Sequence, residues 1–362
     1  MRSCPSVFAL ALVSLACSSS ESPGAQGGGS SQGGSAGVAG SSASGGAGTS
    51  TGGAGGTSPT TSGSGGGGTG GTGAGGATAG NGGTAGGGGM APSITFDPLT
   101  GDKFDEVPLY DGEPPGFVTG APAEAESADG HITNVSMPTL RRYPMDASKL
   151  TGWAFLVFPG GGYDHLDMGR HAAQLAERVG PLGIAVIGLK YRCGGGTKAE
   201  LGVDAFVDAK RAMRLVRANA AHWGVLPAHL GVIGYSAGSH LALTLAAGFD
   251  EGNPNASDAI EKEATRPAFV GSMSTWSFGS STSPFTFPQN VPPVFFCHAQ
   301  DDKTAPIALP QAIDAQIEAR GAATQLDFYA TGGHSTCHPG DVMMAGHDWP
   351  LKLVPWAQSV VP

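Results

Sequence analysis

Positive charge is scarce in this chain. Nineteen Lys and Arg stand against 29 Asp and Glu, a formal charge of −10 over 362 residues. That balance argues against a nucleic-acid partner, whose phosphates need basic clusters. No apolar run beyond the N-terminus is long enough to span a bilayer. The glycine runs lack the Gly-Lys-Ser/Thr ending of a phosphate loop. They keep no three-residue period either, which excludes a collagen helix. No internal repeat is visible. Cysteine is sparse, with five in all.

What is abundant is glycine, 62 residues, most of them before Met90. The chain divides accordingly. Residues 1–17 are a targeting segment, with Arg2 as its positive end and Val7 to Ala16 as a short apolar core. Ser14-Leu15-Ala16-Cys17 resembles a bacterial lipobox, which implies a lipidated Cys17. The position three before the cysteine is usually aliphatic, and the alternative is an ordinary signal peptide cut nearby. Residues 18–90 are nearly all Gly, Ser, Ala and Thr; they cannot bury enough apolar surface to offset chain entropy and read as a flexible tether. Residues 91–362 are the right length for one α/β domain with a large core. The expected location is outside the cytoplasm, on a membrane anchor or secreted.

Residues 91–130, rich in Pro, Gly, Asp and Glu, read as a lead-in with little regular structure. His131 to Tyr143 reads as one strand, interrupted by Pro138 and so placed at an edge. From Trp153 the pattern alternates. Strands are expected over Trp153–Phe158, Ile184–Lys190, Leu230–Tyr235, Ala268–Met273, Val294–Ala299 and Gln325–Ala330. Helices are expected over Gly169–Val179, Val203–Trp223, Ala237–Ala247 and Pro306–Arg320. In the second helix Val203, Phe206, Val207, Met213 and Val216 are placed inward, while Lys210, Arg211, Arg214 and Arg217 read as a solvated face. This alternation predicts a mainly parallel sheet with helices on both faces, an α/β fold.

The chemistry centres on Gly234-Tyr235-Ser236-Ala237-Gly238, between a buried strand and a helix. The same G-x-S-x-G spacing occurs around Ser31 and Ser35, but only Ser236 has a strand before it and a helix after it. A serine on such an elbow is a candidate nucleophile, and the N–H of Ala237 would face an oxyanion beside it. A hydroxyl needs a base, and the base an orienting carboxylate, in the chain order Ser, Asp, His. Asp302 ends a strand four residues before Pro306 and is chosen over Asp301, expected to face solvent. His334 follows the last strand and two glycines. Among competitors, His240 is expected to pack or cap in the nucleophile helix. His298 lies in a strand, and His338 and His347 lie beyond the last strand. His334 and His338 have metal-like spacing, but Pro339 interrupts the loop and no Glu pattern completes a zinc motif; no metal and no cofactor are expected. Gly161 and Gly162, straight after the first strand, are the further oxyanion donors. Cys297 reads as a buried thiol, and a Cys193–Cys337 bridge is conceivable, with pairing left open.

These residues carry a resemblance. Pro159-Gly160-Gly161-Gly162-Tyr163, Leu189-Lys190-Tyr191-Arg192, Asp208-Ala209-Lys210-Arg211-Ala212, the Ser236 elbow, Asp301-Asp302 and Gly333-His334 recur in this order in the α/β-hydrolase esterases of the acetylxylan and feruloyl esterase type, relatives of the hormone-sensitive-lipase-like group. The chain resembles that group from about His131 to Trp356. The resemblance implies the α/β-hydrolase fold and serine esterase activity on acetyl or aryl esters of plant polysaccharide. A general short-chain esterase and a non-catalytic glycan-binding protein are the alternatives. Ser239 and Ser335 stand where the group usually has glycine, and the segment from Met273 to Val291 is shorter than in many relatives. Tyr163 and Trp276 are candidate substrate-lining residues. For Trp276, Phe278 and Phe285 two readings stand, an open cleft and loop packing.

Overall fold

In the computed structural model the described residues are 99, 103–197, 202–279, 284–340 and 348–362. Cys17, His347, the targeting segment and the tether residues 18–90 lie outside them. The described residues belong to one compact unit.

The strands in the first part are β1 (Asp105–Pro108), β2 (Ala125–Glu126), β3 (His131–Thr133), β4 (Thr139–Arg142), β5 (Ala154–Phe158) and β6 (His165–Asp167). Then come α1 (Gln174–Val179), β7 (Ala185–Lys190), α2 (Val203–Ala218), β8 (Leu230–Tyr235) and α3 (Ala237–Gly248). The chain closes with β9 (Val270–Met273), β10 (Val294–Ala299), α4 (Ala308–Glu318), β11 (Thr324–Tyr329) and α5 (Trp349–Val360). Eight strands form one sheet in the order β1-β4-β7-β5-β8-β9-β10-β11. It is parallel from β7 to β11 and antiparallel where β4 joins β1 and β7. A small antiparallel sheet, β2-β3-β6, sits apart from it in pairing.

β5, β8 and β10 are buried at every position. Their apolar runs do not alternate, because a parallel strand covered on both faces has no wet side. α3 packs on β5, β8 and β9 and against α2, while α1 packs on β7 and against α5. Parallel strands put their C-terminal ends on one edge, and the loops that follow β5, β8, β10 and β11 gather there.

Several expectations need correction. His131 to Tyr143 is two strands in two sheets: the backbone turns at Asn134, whose φ is 56°, and β4 begins only after Pro138. β4 is interior; the edge is β1, from the stretch expected to be irregular. Four residues were enough for a strand, because Asp105 and Glu106 pair across it with Arg142 and Arg141. α2 ends at Ala218, where the Asn219 side chain takes up the Leu215 carbonyl at 2.9 Å. Its inward face is shifted: Val203 is 49% exposed and Val207 40%, while Asp208 is fully buried. Asp208 turns inward because the Arg192 guanidinium meets it at 2.8 Å in the core. Burial pushes the Asp208 carboxyl up, and the Arg192 hydrogen bonds only partly offset this. Nor do the basic residues of α2 form a free solvated face. Arg211 binds Asp258 and Glu261, and Lys210 and Arg214 bind Asp250. They fasten the 250–263 loop onto the helix.

The cysteines also pair differently. Cys297 and Cys337 form a disulfide with Cα atoms 5.9 Å apart, and Cys193 is a buried thiol. Cys297 sits near the C-terminal end of β10, so the loop after His334 passes over it. Cys193 is fully buried, its N–H donating to the Val135 carbonyl at 3.2 Å.

Candidate active site

Ser236 occupies the turn between β8 and α3 with φ 51° and ψ −116°, a backbone that costs energy for any residue with a side chain. The flanking glycines explain how the turn closes. A methyl on Gly234 would collide with the Gly238 carbonyl, and one on Gly238 with the Phe158 carbonyl. Ser236 N–H is fixed by the Met273 carbonyl at 2.9 Å.

The structure brings Ser236, His334 and Asp302 together. Ser236 Oγ lies 2.8 Å from His334 Nε2, and His334 Nδ1 lies 2.7 Å from Asp302 Oδ2. The other Asp302 oxygen accepts the N–H groups of Thr304 at 2.8 Å and Ala305 at 3.0 Å, which fixes the carboxylate plane. Burial pushes this carboxyl up, but the His334 bond and the two backbone N–H groups outweigh it and hold it below its ordinary range. It stays ionised opposite the imidazole. An ionised Asp302 sets His334 with its proton on Nδ1 and its free lone pair towards Ser236.

Three further contacts support His334. Asp301 is exposed, as expected, and accepts the N–H of Gly333 at 2.7 Å and of Gly332 at 3.3 Å. Ser274 Oγ donates to the His334 carbonyl at 2.7 Å. The Cys297–Cys337 bridge ties β10 to the chain three residues past His334. His298 lies beneath, its Nε2 bonded to the Ala305 carbonyl at 2.8 Å and 3.5 Å from Asp302. Burial pushes its pKa down, so it supports the Asp302 turn as a neutral ring.

Facing Ser236 is the loop after β5. Gly161, Gly162 and Tyr163 have φ of 133°, 66° and 66° in succession, and a methyl on Gly161 would collide with the His165 carbonyl. Such a run turns successive N–H groups to one side, a form suited to an anion. Ala237 is the first residue of α3, so its N–H has no partner within the helix. A cavity of about 380 Å³ opens here, with Gly161, Gly162, Ser236, Trp276, His334 and Asp164 in its wall. A larger hollow of about 820 Å³, walled by Phe104, Arg141 and Tyr143, contains none of these residues. The chemistry belongs to the smaller one.

Trp276 lines this cavity, and Tyr163 does not. Tyr163 is 1% exposed and its hydroxyl is bonded to His240 Nδ1 at 2.8 Å. With its φ positive, its side chain turns away from the glycines and into the protein. Phe278 stacks on it while remaining 39% exposed, and Phe285 is buried against His240. A further residue without a sequence signal is His171, whose Nδ1 accepts the Gly160 N–H at 3.0 Å. Ser239, departing from the expected glycine, is bonded to Ser272 at 2.7 Å beneath the elbow.

A mainly parallel sheet with a Ser-His-Asp arrangement at its carboxyl edge defines an α/β-hydrolase. Comparison with known proteins agrees. Residues 153–267 match the BD-FAE family model. Over 92 residues, 25% of this chain, the sequence is 33% identical to an acetylxylan esterase of Xylanibacter ruminicola, and the match spans 18% of that relative's length. The fold resembles that of an acetyl ester-xyloside bifunctional hydrolase from Caldicellulosiruptor lactoaceticus, with TM-score 0.59 and 23% identity over 71% of this chain and 96% of the other. It also resembles an alpha/beta hydrolase enzyme from a Medee basin deep-sea metagenome library, with TM-score 0.51 and 20% identity over 71% and 97% of the two chains.

Proposed function

We propose that this protein is a serine carboxylesterase that removes short acyl groups, acetyl above all, from carbohydrate such as acetylated xylan. The observation that carries the reading is the unbroken chain of hydrogen bonds from Ser236 through His334 to Asp302, at 2.8 and 2.7 Å. His334 Nε2 takes the Ser236 proton as Oγ bonds to the ester carbonyl carbon. The carbonyl oxygen becomes an oxyanion, received by the N–H groups of Gly161, Gly162 and Ala237. His334 then gives its proton to the departing sugar oxygen, and the C–O bond breaks to leave an acyl-serine. Water, deprotonated by the same imidazole, attacks the acyl carbon, and Ser236 leaves with the proton. Asp302 stabilises the imidazolium in both halves.

The carbohydrate side of the reading is supported by the likeness to an acetylxylan esterase and by a cavity wall that includes Asp164 and Trp276, a carboxylate for hydroxyls and an indole for a sugar face. The lipobox-like Cys17 and the disulfide, which needs an oxidising compartment, support an exported and tethered enzyme; labelling with radioactive palmitate that persists in Cys17→Ala would count against the anchor. The test of function is acetate release from acetylated xylan and from an aryl acetate by the full chain, beside Ser236→Ala. Loss of both activities in the variant supports the reading. Aryl ester cleaved through Ser236 with xylan untouched would leave the esterase and discard this substrate, and activity retained in Ser236→Ala would discard the mechanism.

A further inference from the structure

The loop that faces Ser236 is pinned largely through its carbonyls. The Gly160 carbonyl accepts from Asp167 N–H at 3.0 Å, the Gly161 carbonyl from Asp164 and His165 N–H at 3.0 and 3.1 Å, and the Tyr163 carbonyl from Gly194 N–H at 2.9 Å. These bonds are made by backbone. The Gly160 N–H is held differently, by a side chain: it donates to Nδ1 of His171 at 3.0 Å.

His171 lies in a π-helical turn, Gly169–Ala173, ahead of α1. Such a turn holds one residue more than an α-helical one and swings its side chains off the usual faces. The ring is 4% exposed. It stacks on Tyr235 at 4.3 Å between centroids and 13° between planes, and His338 meets its edge at 4.9 Å. Tyr235 is the residue before Ser236. A methyl added to Gly160 would lie 3.1 Å from Ser236 Cβ and 3.2 Å from His171 Cε1, so the serine and the imidazole flank the same glycine. One ring thus holds the Gly160 N–H and stacks on the Tyr235 ring, so it touches both segments that must converge on an oxyanion. To accept from Gly160, Nδ1 has to be unprotonated. Burial, and then the neighbouring His338, Arg170, His334 and His131, push its pKa well down.

We propose that His171 is a positioning residue for the oxyanion hole: it ties Gly160 of the glycine loop to Tyr235 of the elbow, so that the N–H groups of Gly161, Gly162 and Ala237 meet at one point beside Ser236 Oγ. The proposal rests on the serine esterase reading above. Its energetic logic is that donors in such a hole act through placement. Losing one donor costs about 10²–10³ in kcat, and a misplacement near 1 Å costs about 10². Removing the tie should cost about 10–100-fold in kcat, with KM little changed, because the oxyanion exists in the transition state and not in the bound ester.

The experiment is steady-state hydrolysis of 4-nitrophenyl acetate by the full chain, with thermal midpoints recorded alongside. His171→Phe keeps the stacking surface and removes the acceptor; kcat is expected to fall by about 10–100-fold with KM within about threefold. His171→Asn offers an amide oxygen near the place of Nδ1 and should recover most of kcat. His171→Leu, nearly the same shape as Asn but with no acceptor, should not. If the Phe variant fails to fold, the Asn and Leu pair carries the comparison alone. Equal kcat in the Asn and Leu variants, or wild-type kcat in the Phe variant, would overturn the proposal while leaving the esterase standing. A wild-type chain inert on the ester would overturn both.

Discussion

Removing the Cys297–Cys337 bridge should cost both stability and rate. The two cysteines are 40 residues apart in sequence, and cross-linking a loop of that length contributes about 4 kcal/mol by the chain-entropy argument. For a domain of this size each kcal/mol moves the melting midpoint by about 2–4 °C, so the loss should be roughly 8–16 °C. The bridge also spans two parts of the triad. Cys297 is five residues before Asp302 and Cys337 three after His334. Without it the His334 loop keeps the Asp301 bonds, the Ser274 bond and the hold of Trp349 on the Cys337 carbonyl at 2.9 Å. Those anchors should keep His334 within reach of Ser236, so kcat should fall by about tenfold and not vanish. Both sulfurs are fully buried, so substitution tests this better than reductant. Cys297→Ala/Cys337→Ala, with no new thiol and no buried hydroxyl, is the variant to make. Thermal melts and aryl acetate hydrolysis are the assays. A midpoint within about 2 °C of wild type, with kcat unchanged, would refute the reasoning, since the entropy term and the tether would then both be absent.

Two further perturbations test the charge arrangement. Asp302→Asn should lower kcat by about 10⁴ with a near-native melting midpoint, because its amide would present a donor to His334 Nδ1 and impose the other tautomer; a loss under tenfold, measured on an aryl acetate, would show that Asp302 does not set that proton. His240 is the case for pH. Burial holds it down to about 4, whereas an unfolded histidine titrates near 6.5. Between these values the unfolded chain binds the extra proton, so stability rises with pH across the window, by up to about 3 kcal/mol. Denaturant melts of His240→Gln should show a shallower fall in stability from about pH 6.5 to about pH 4 than wild type, and parallel slopes would remove His240 from the account.

The parallel core was legible because burial leaves a plain mark. A strand covered on both faces must be apolar throughout, and β5, β8 and β10 read so in the sequence and stand so in the sheet. The edge was not legible. β1 is Asp-Glu-Val-Pro, and what makes it a strand is a pair of arginines 35 and 37 residues away. α2 misled for a related reason. Its periodicity placed Val203 and Val207 inward, but Asp208 and Arg192 form a buried pair that turns the helix by a fraction of a turn. Hydrophobic pattern carries no information about a buried charge whose partner lies in the loop after β7.

The same division runs through the site, and it has a physical cause. Ser236 follows β8 directly, and Asp302 and His334 come three and five residues after the ends of β10 and β11; short spacing from a strand fixes where a side chain can be. Their order and spacing were therefore readable. The residues that hold them still come from elsewhere. Asp301 grips the His334 loop through backbone N–H groups, Ser274 through a carbonyl, and His171 reaches Gly160 from a helix that faces the core. Backbone groups are present at every position, so a side chain that binds one needs no partner residue of any particular type, and nothing marks the pairing in sequence. The Cys297–Cys337 bridge, whose partners are both marked by type, was still left open in the sequence, where Cys297 read as a thiol, because either of two buried cysteines could be matched to Cys337 and only the path of the loop over β10 decides between them. A catalytic group is thus announced by its own chemistry, while the geometry that makes it effective is written into contacts that only the folded chain creates.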